Sequence, residues 1–147
     1  MKFISHRGNI DGIKKSEENN PNKIDFCLRA GYDVEVDVWY INNKFYLGHD
    51  EPQYEIKIDY LLNEKLWCHA KNKDSLGILL KNNIHCFWHQ NDDYALTSKG
   101  IIWVYPNIEL LANSVAVMPE ATNYSLDNLI KCYGICSDNV KYYKDLL

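Results

Sequence analysis

The chain has 147 residues, enough for one domain with a sizeable core, and 46% of them are hydrophobic types, which excludes a disordered segment. Its formal net charge is −4, and no lysine–arginine cluster stands ready to coat nucleic acid. No apolar run reaches the roughly 18 to 20 residues that cross a bilayer, so no membrane insertion is expected.

Residues 3–5 are a short apolar run that ends at His6-Arg7-Gly8, the pattern of a strand running into a functional loop. Residues 9–16 are polar, contain Gly12 and read as loop. Asn19 or Asn20 can cap a helix with Pro21 in its first turn. Ile24, Cys27 and Leu28 follow at helical spacing, and Gly31 closes the element. The next stretch, Gly31-Tyr-Asp-Val-Glu-Val-Asp-Val-Trp39, alternates strictly. A strand turns successive side chains to opposite faces, so Asp33, Glu35 and Asp37 share one face and Val34, Val36 and Val38 the other. Two explanations fit: a half-exposed antiparallel strand whose acids meet water, or a barrel strand whose valines pack on outer helices and whose acids face a metal. Asn42-Asn43 makes a turn, and residues 45–47 form a strand ending at Gly48-His49-Asp50.

A rhythm then repeats. Residues 60–62 are helical, and 66–70 form a strand ending at Lys71-Asn72. Residues 74–81 form a helix, 85–89 a strand, 92–96 a short helical turn and 101–105 a strand. Residues 109–112 are helical, 115–118 a strand, 125–131 helical, 133–136 a strand ending at Ser137-Asp138, and 140–147 a closing helix. Eight short strands, most followed by helical or loop segments, imply parallel strands joined by crossovers. The expected architecture is α/β, a compact TIM-like (β/α)8 barrel with shortened helices that occupies 1–147 as a single domain. The turn at Asn42-Asn43 is too short for a helical crossover, and the chain is short for such a barrel; a smaller open α/β sheet is the alternative. Cys27, Cys68, Cys86, Cys132 and Cys136 are odd in number, form no CxxC pair and mostly sit in apolar runs. They read as reduced, buried thiols. The chain's opening turns polar after two apolar residues, unlike a signal peptide, and a cytoplasmic location is the expectation.

Groups capable of chemistry collect at one end of these strands: His6 and Arg7, Glu35 and Asp37, His49 and Asp50, His69 and Lys71, His89 and Gln90, then Tyr105, Glu120 and Asp138. In a parallel barrel the active site lies at that end. Four of the five histidines fall there; only His85 opens a strand. Glu35 and Asp37 are hard oxygen donors suited to Mg²⁺ or Ca²⁺, and His69 adds a nitrogen that suits Mn²⁺ or Zn²⁺ better. Arg7 and Lys71 suit a phosphate. His6 and His49, on different strands, can serve as base and acid in one displacement at phosphorus, with the metal polarising the phosphoryl oxygens. The partner these groups suit is a small molecule that carries a phosphate. His89, Glu120 and Asp138 read first as hydrogen-bonded structural residues. Trp39, Trp67, Trp88 and Trp103 read mostly as core, with one or two at the pocket rim.

His6-Arg7-Gly8, then Glu18-Asn19, Ala30-Gly31-Tyr-Asp-Val-Glu35-Val-Asp37-Val and Gly48-His49-Asp50 together resemble the glycerophosphodiester phosphodiesterase family, within the phospholipase-C-like phosphodiesterase superfamily. The match in order and spacing covers about the first fifty residues. His69-Ala-Lys71 falls where that family has Glu-x-Lys, and Gly134-Ile-Cys-Ser-Asp138 looks like its closing Gly-x-x-Thr-Asp. The resemblance implies an eight-stranded barrel and a divalent-metal phosphodiesterase, with a small-molecule phosphodiester as its partner. It makes His6 and His49 the acid–base pair, Glu35 and Asp37 metal ligands, and Arg7 and Lys71 phosphate contacts. It places Glu18 beside Arg7 and Asn19 at the mouth. A substrate hydroxyl would attack first, releasing the alcohol and leaving a cyclic phosphate that water then opens to a glycerol phosphate. Three departures are visible: His69 replaces a carboxylate, the insertion after His-Asp is absent, and the chain is much shorter. The rivals are a non-catalytic barrel that binds a phosphorylated ligand, a phospholipase D-like lyase that stops at the cyclic phosphate, and a metal hydrolase acting on a carbonyl. Binding alone has no need of both His6 and His49, and Arg7 with Lys71 favours phosphate over a carbonyl.

Overall fold

The computed structural model, which describes residues 1–147, puts the acidic strand at the centre of the fold as β2 (Asp33–Ile41). The first half of β2 runs parallel between β1 (Lys2–His6) and β5 (Leu66–Ala70). His6 lies opposite Glu35 on one edge, and His69 opposite Asp37 on the other. Because β1 stops at His6, the upper half of β2 would have a bare edge. The chain fills that edge itself: Asn42 and Asn43, at φ 50° and 63°, turn it back into β3 (Lys44–Leu47), which pairs antiparallel with Val38–Ile41. Two consecutive positive-φ residues are the mark of a tight hairpin turn, and asparagine tolerates that conformation better than most residues. β4 (Tyr54–Ile56) extends the hairpin.

Beyond β1 the sheet continues in parallel through β10 (Gly134–Ser137), β9 (Ser114–Val117) and β8 (Ile102–Val104), and ends on β7 (Tyr94–Leu96), antiparallel to β8. On the other side β6 (Cys86–Phe87) lies parallel to β5. Five short helices cover the outside: α1 (Pro21–Arg29), α2 (Ile58–Leu61), α3 (Lys73–Lys81), α4 (Leu126–Leu129) and α5 (Val140–Leu146). Asn20 caps α1 by accepting from the Asn22 N–H, with Pro21 behind it, and Asn72 caps α3 in a reciprocal box with Ser75.

The sheet is one mixed, ten-stranded layer curled into a half-barrel. The closed TIM-like (β/α)8 barrel expected from the strand count is therefore incorrect. Three strands, β3, β4 and β7, run antiparallel to their neighbours, and the β2–β3 link has no room for a helix. The expected helical turn over 92–96 is instead mostly β7, whose Ala95 points inward between exposed Tyr94 and Leu96. Residues 109–112 form no helix. β6 and β7 share no ladder. Ser98, two residues past β7, ties the two margins: its N–H donates to the Cys86 carbonyl at 2.8 Å and its Oγ accepts from the Cys86 N–H at 3.0 Å.

Both sides of the curl are packed. Val34, Val36 and Val38 point outward into a cluster with Ile24, Cys27 and Leu79 under the helices. The concave side holds Ile4, Trp67, Phe87, Trp103, Val115 and Val117. Asp33, Glu35 and Asp37 share this concave side but at two depths. Asp33 lies deep, taking Trp67 Nε1–H at 3.1 Å and Lys2 Nζ at 3.1 Å, and the other two lie above the aromatic floor. No helix is long and apolar enough to cross a membrane. All five cysteines are free and buried, as expected.

His85 enters this interior as well, packed on Trp67 with ring centroids 4.3 Å apart and its Nε2 without a partner. Burial, with Lys99 adding to it, lowers its pKa to about 4. The unfolded imidazole titrates near 6.5, so the unfolded chain takes up a proton that the folded chain refuses. Stability is expected to begin falling below about pH 6.5 and to have lost roughly 2 kcal/mol to this residue by pH 4.5. His85→Phe keeps the ring contact and should show a smaller difference between urea melts at pH 7 and pH 4.5 than wild type.

Candidate active site

The site is built where β1, β2 and β5 end and where the β3 hairpin returns. Arg7 and Gly8 follow β1 at φ 53° and 91°, a left-handed turn that costs a non-glycine residue on the order of 1 kcal/mol. Two backbone hydrogen bonds hold it: Arg7 N–H to the Glu35 carbonyl at 3.1 Å, and Asn19 N–H to the Arg7 carbonyl at 2.9 Å. The turn carries the guanidinium to β2. Its Nε stands 3.1 Å from Asp37 Oδ2, its Nη1 donates to Glu18 Oε2 at 3.3 Å and its Nη2 to His49 Nε2 at 3.3 Å. Asn19 fills the gap on the β2 edge between β1 and β3. Its Oδ1 accepts the Asp37 N–H and its Nδ2 donates to Asp37 Oδ2, both at 2.9 Å. It is fully buried, so the expected place at the mouth is incorrect. Gly48 N–H closes the same edge on the Asp37 carbonyl at 3.2 Å. A Cβ on Gly48 would stand 2.0 Å from the Glu51 carbonyl oxygen, so only glycine lets the loop deliver His49 here.

Asp37 is completely buried and is the hub of the site. Besides Asn19 and Arg7, it meets His49 Nδ1 at 3.2 Å, His69 Nδ1 at 3.1 Å and Lys71 Nζ at 3.5 Å. Burial alone would raise its pKa. The hydrogen bonds from His49 and His69 and the Arg7 charge outweigh that and hold it well below the usual carboxylate range. Glu35 has the opposite balance. Burial first, and the Asp37 charge second, push its pKa up, and its Oε2 has no hydrogen-bond partner.

Glu35, Asp37 and His69 each turn a ligand atom into one space, all within 4.8 Å of one another. Donors bonded to a single ion at about 2.1 Å stand roughly 3 to 4 Å apart. His69 Nδ1 lies 3.1 Å from Asp37 and 3.8 Å from Glu35. An unpartnered, buried Glu35 oxygen and two carboxylates aimed at the same point fit a divalent cation, as does the mixed oxygen–nitrogen donor set.

His6 stands at the other side of Glu35, with Nε2 at 3.9 Å from Oε2. Its Nδ1–H donates to Asp138 Oδ1 at 2.8 Å. Burial opposes a charge on His6, but the Asp138 bond and the Glu35 charge outweigh it and raise its pKa above the ordinary histidine value. Asp138 is itself fixed: Asn9 Nδ2 donates to it at 2.7 Å, and its own N–H donates to Glu120 Oε1 at 3.0 Å. Asn9 Nδ2 also reaches Glu18, so one network links the braces of His6 and Arg7.

A cleft of about 490 Å³ opens over these groups. His6, Arg7, Glu35, His49, His69 and Lys71 line one side, joined by His89 and Gln90, and Phe87, Trp103, Tyr105, Pro106, Val117 and Met118 line the other. All seven residues read as site residues thus gather in one place. His89 stacks on Tyr105 at the rim, and its carbonyl faces His69 Nε2 at 3.3 Å. Of the tryptophans, Trp103 lines the cleft. The sequence reading missed the bracing roles of Asn9 and Asn19 and the pairing of Asp138 with His6. It also missed Met118, which takes φ 49° at the end of β9; a strained non-glycine residue at a strand end is visible only in the backbone. No protein-family model matches the chain, and no curated protein matches it.

The two acids should separate by mutation. Asp37→Asn leaves Arg7 and Lys71 facing a neutral amide and is expected to destabilise the fold by about 3 to 5 kcal/mol in denaturant melts. Glu35→Gln removes a buried charge whose Oε2 has no hydrogen bond. It should match or exceed wild-type stability in chelator while losing the thermal stabilisation that a bound divalent cation gives wild type.

Proposed function

We propose that the protein is a metal-dependent phosphodiester hydrolase that cleaves a glycerophosphodiester or a similar small diester to an alcohol and a glycerol phosphate. The observation that carries this reading is the pair of differently held imidazoles on one cleft. His6 is bonded through Nδ1 to Asp138 and His49 through Nδ1 to Asp37, with Arg7 and Lys71 beside them. The resemblance of the first fifty residues to the glycerophosphodiester phosphodiesterase family supports the same chemistry.

Each imidazole's partners support a distinct role for it. His49 gives its Nδ1–H to Asp37 and accepts the Arg7 Nη2–H on Nε2, so Nε2 has a lone pair. It serves as the base, taking the proton of the substrate hydroxyl beside the phosphate as that oxygen attacks phosphorus. His6, with its raised pKa and its Nδ1 on Asp138, carries a proton on Nε2 and gives it to the departing alcohol oxygen as the P–O bond breaks. The product is a cyclic phosphate. In the second step the roles reverse: His6 takes a proton from water and His49 protonates the ring oxygen that leaves. Arg7 and Lys71 hold the phosphate oxygens and offset their developing charge. Glu35, Asp37 and His69 would hold a divalent cation, which supplies further polarisation of the phosphoryl group.

Hydrolysis of glycerophosphocholine and of an aryl phosphodiester, each with Mg²⁺, Ca²⁺, Mn²⁺ or chelator, tests the proposal. Turnover should need metal and should fall about 100-fold or more in His6→Ala and in His49→Ala. Asp138→Asn should lower kcat at least tenfold and leave KM nearly unchanged, since it misorients His6 without touching substrate. Phosphorus NMR separates the hydrolase from a lyase, in which the cyclic phosphate would accumulate. A folded protein that turns over neither diester, or one whose His6→Ala variant matches wild type, would favour a non-catalytic module that binds a phosphorylated ligand.

A further inference from the structure

We infer that the cation site selects a first-row transition ion, Mn²⁺, Co²⁺ or Zn²⁺, over Mg²⁺ and Ca²⁺, and that His69 binds it through Nδ1. The inference rests on the metal-dependent reading above but concerns only which ion binds and through which atom.

Two constraints fix the imidazole. Its ring stacks on Phe87 with 4° between the planes and 5.1 Å between centroids, so it cannot tilt freely. Its Nε2 stands 3.3 Å from the His89 carbonyl, which can only accept, so Nε2 carries a proton. Nδ1 is then the atom turned toward Asp37 Oδ1 at 3.1 Å and Glu35 Oε1 at 3.8 Å. In the metal-free site that atom hydrogen-bonds Asp37; a cation held between the two carboxylates would replace the Nδ1 proton and take the nitrogen's lone pair, while Nε2 keeps its proton on the His89 carbonyl. A ligating histidine whose other N–H donates to a backbone carbonyl is the usual arrangement around a bound metal.

The donor set then decides the class of ion. Ca²⁺ takes six to eight oxygens and Mg²⁺ favours oxygen ligands and water. An imidazole nitrogen in a fixed position favours the borderline ions.

Titration calorimetry on metal-free protein, combined with proton NMR of the Co²⁺ complex, tests this. Wild type should bind Mn²⁺ at least about 100-fold more tightly than Mg²⁺ or Ca²⁺, and His69→Glu should narrow that ratio to about tenfold or less. The Co²⁺ complex should show one hyperfine-shifted, exchangeable signal, the His69 Nε2–H, protected by the His89 carbonyl and absent from His69→Glu. Equal affinity for Mg²⁺ and Mn²⁺, or a Co²⁺ spectrum without that signal, overturns the inference and leaves the hydrolase standing. Failure of folded wild type to bind any of the four ions overturns the metal-dependent reading itself. The wild-type Co²⁺ spectrum decides the ligating atom even where His69→Glu does not fold.

Discussion

The buried carboxylate of Asp37 is the interaction on which the rest of the site depends. A bare carboxylate in a dry interior costs several kcal/mol, and it is tolerable only when its oxygens are surrounded by donors and positive charge. Here those donors arrive from five places in the chain: the turn after β1, the loop before α1, the return of the β3 hairpin, the end of β5 and the residue pair beyond it. The dependence runs in both directions. Arg7 and Lys71 stay extended over the cleft because Asp37 attracts them, and Asp37 stays ionised because they are there. Neighbouring Glu35 lacks such an entourage, which is why its electrostatics point to a further positive charge.

The β2 strand supplies the geometry. It outlasts β1 by several residues, and its exposed upper edge is covered in turn by the Arg7 amide, the Asn19 side chain, the Gly48 amide and β3. A barrel would cover that edge with a full-length parallel strand and a helix outside it. This chain uses a two-residue turn and a short antiparallel return, which saves residues and brings His49 down beside Arg7. The departure from the expected barrel and the assembly of the site therefore share one cause.

The alternation of Asp33 to Val38 could be read directly, because a strand has period two and the valines and acids separate cleanly onto its faces. The clustering of His6, Arg7, His49, His69 and Lys71 could be read as well, since each sits where an apolar run gives way to polar residues. The sheet's strand order could not. Whether 92–96 coils or extends is decided by pairing with β8, a partner that no local pattern names. The braces were hidden for the same reason: Asp138 lies 132 positions from His6 and 129 from Asn9, so nothing near either residue announces the contact.

Ser98 has a mechanical consequence. The neighbouring strands of the half-barrel are joined by ladders, but its two margins, β6 and β7, share none and are tied by two hydrogen bonds of Ser98, just past β7. Such bonds contribute about 1 kcal/mol each, so the seam is the softest line in the sheet. It runs beside Phe87, on the aromatic wall, and away from the ladders that fix β1, β2 and β5. The charged side of the cleft thus stands on laddered strands, and the aromatic side borders the one junction of the sheet without a ladder.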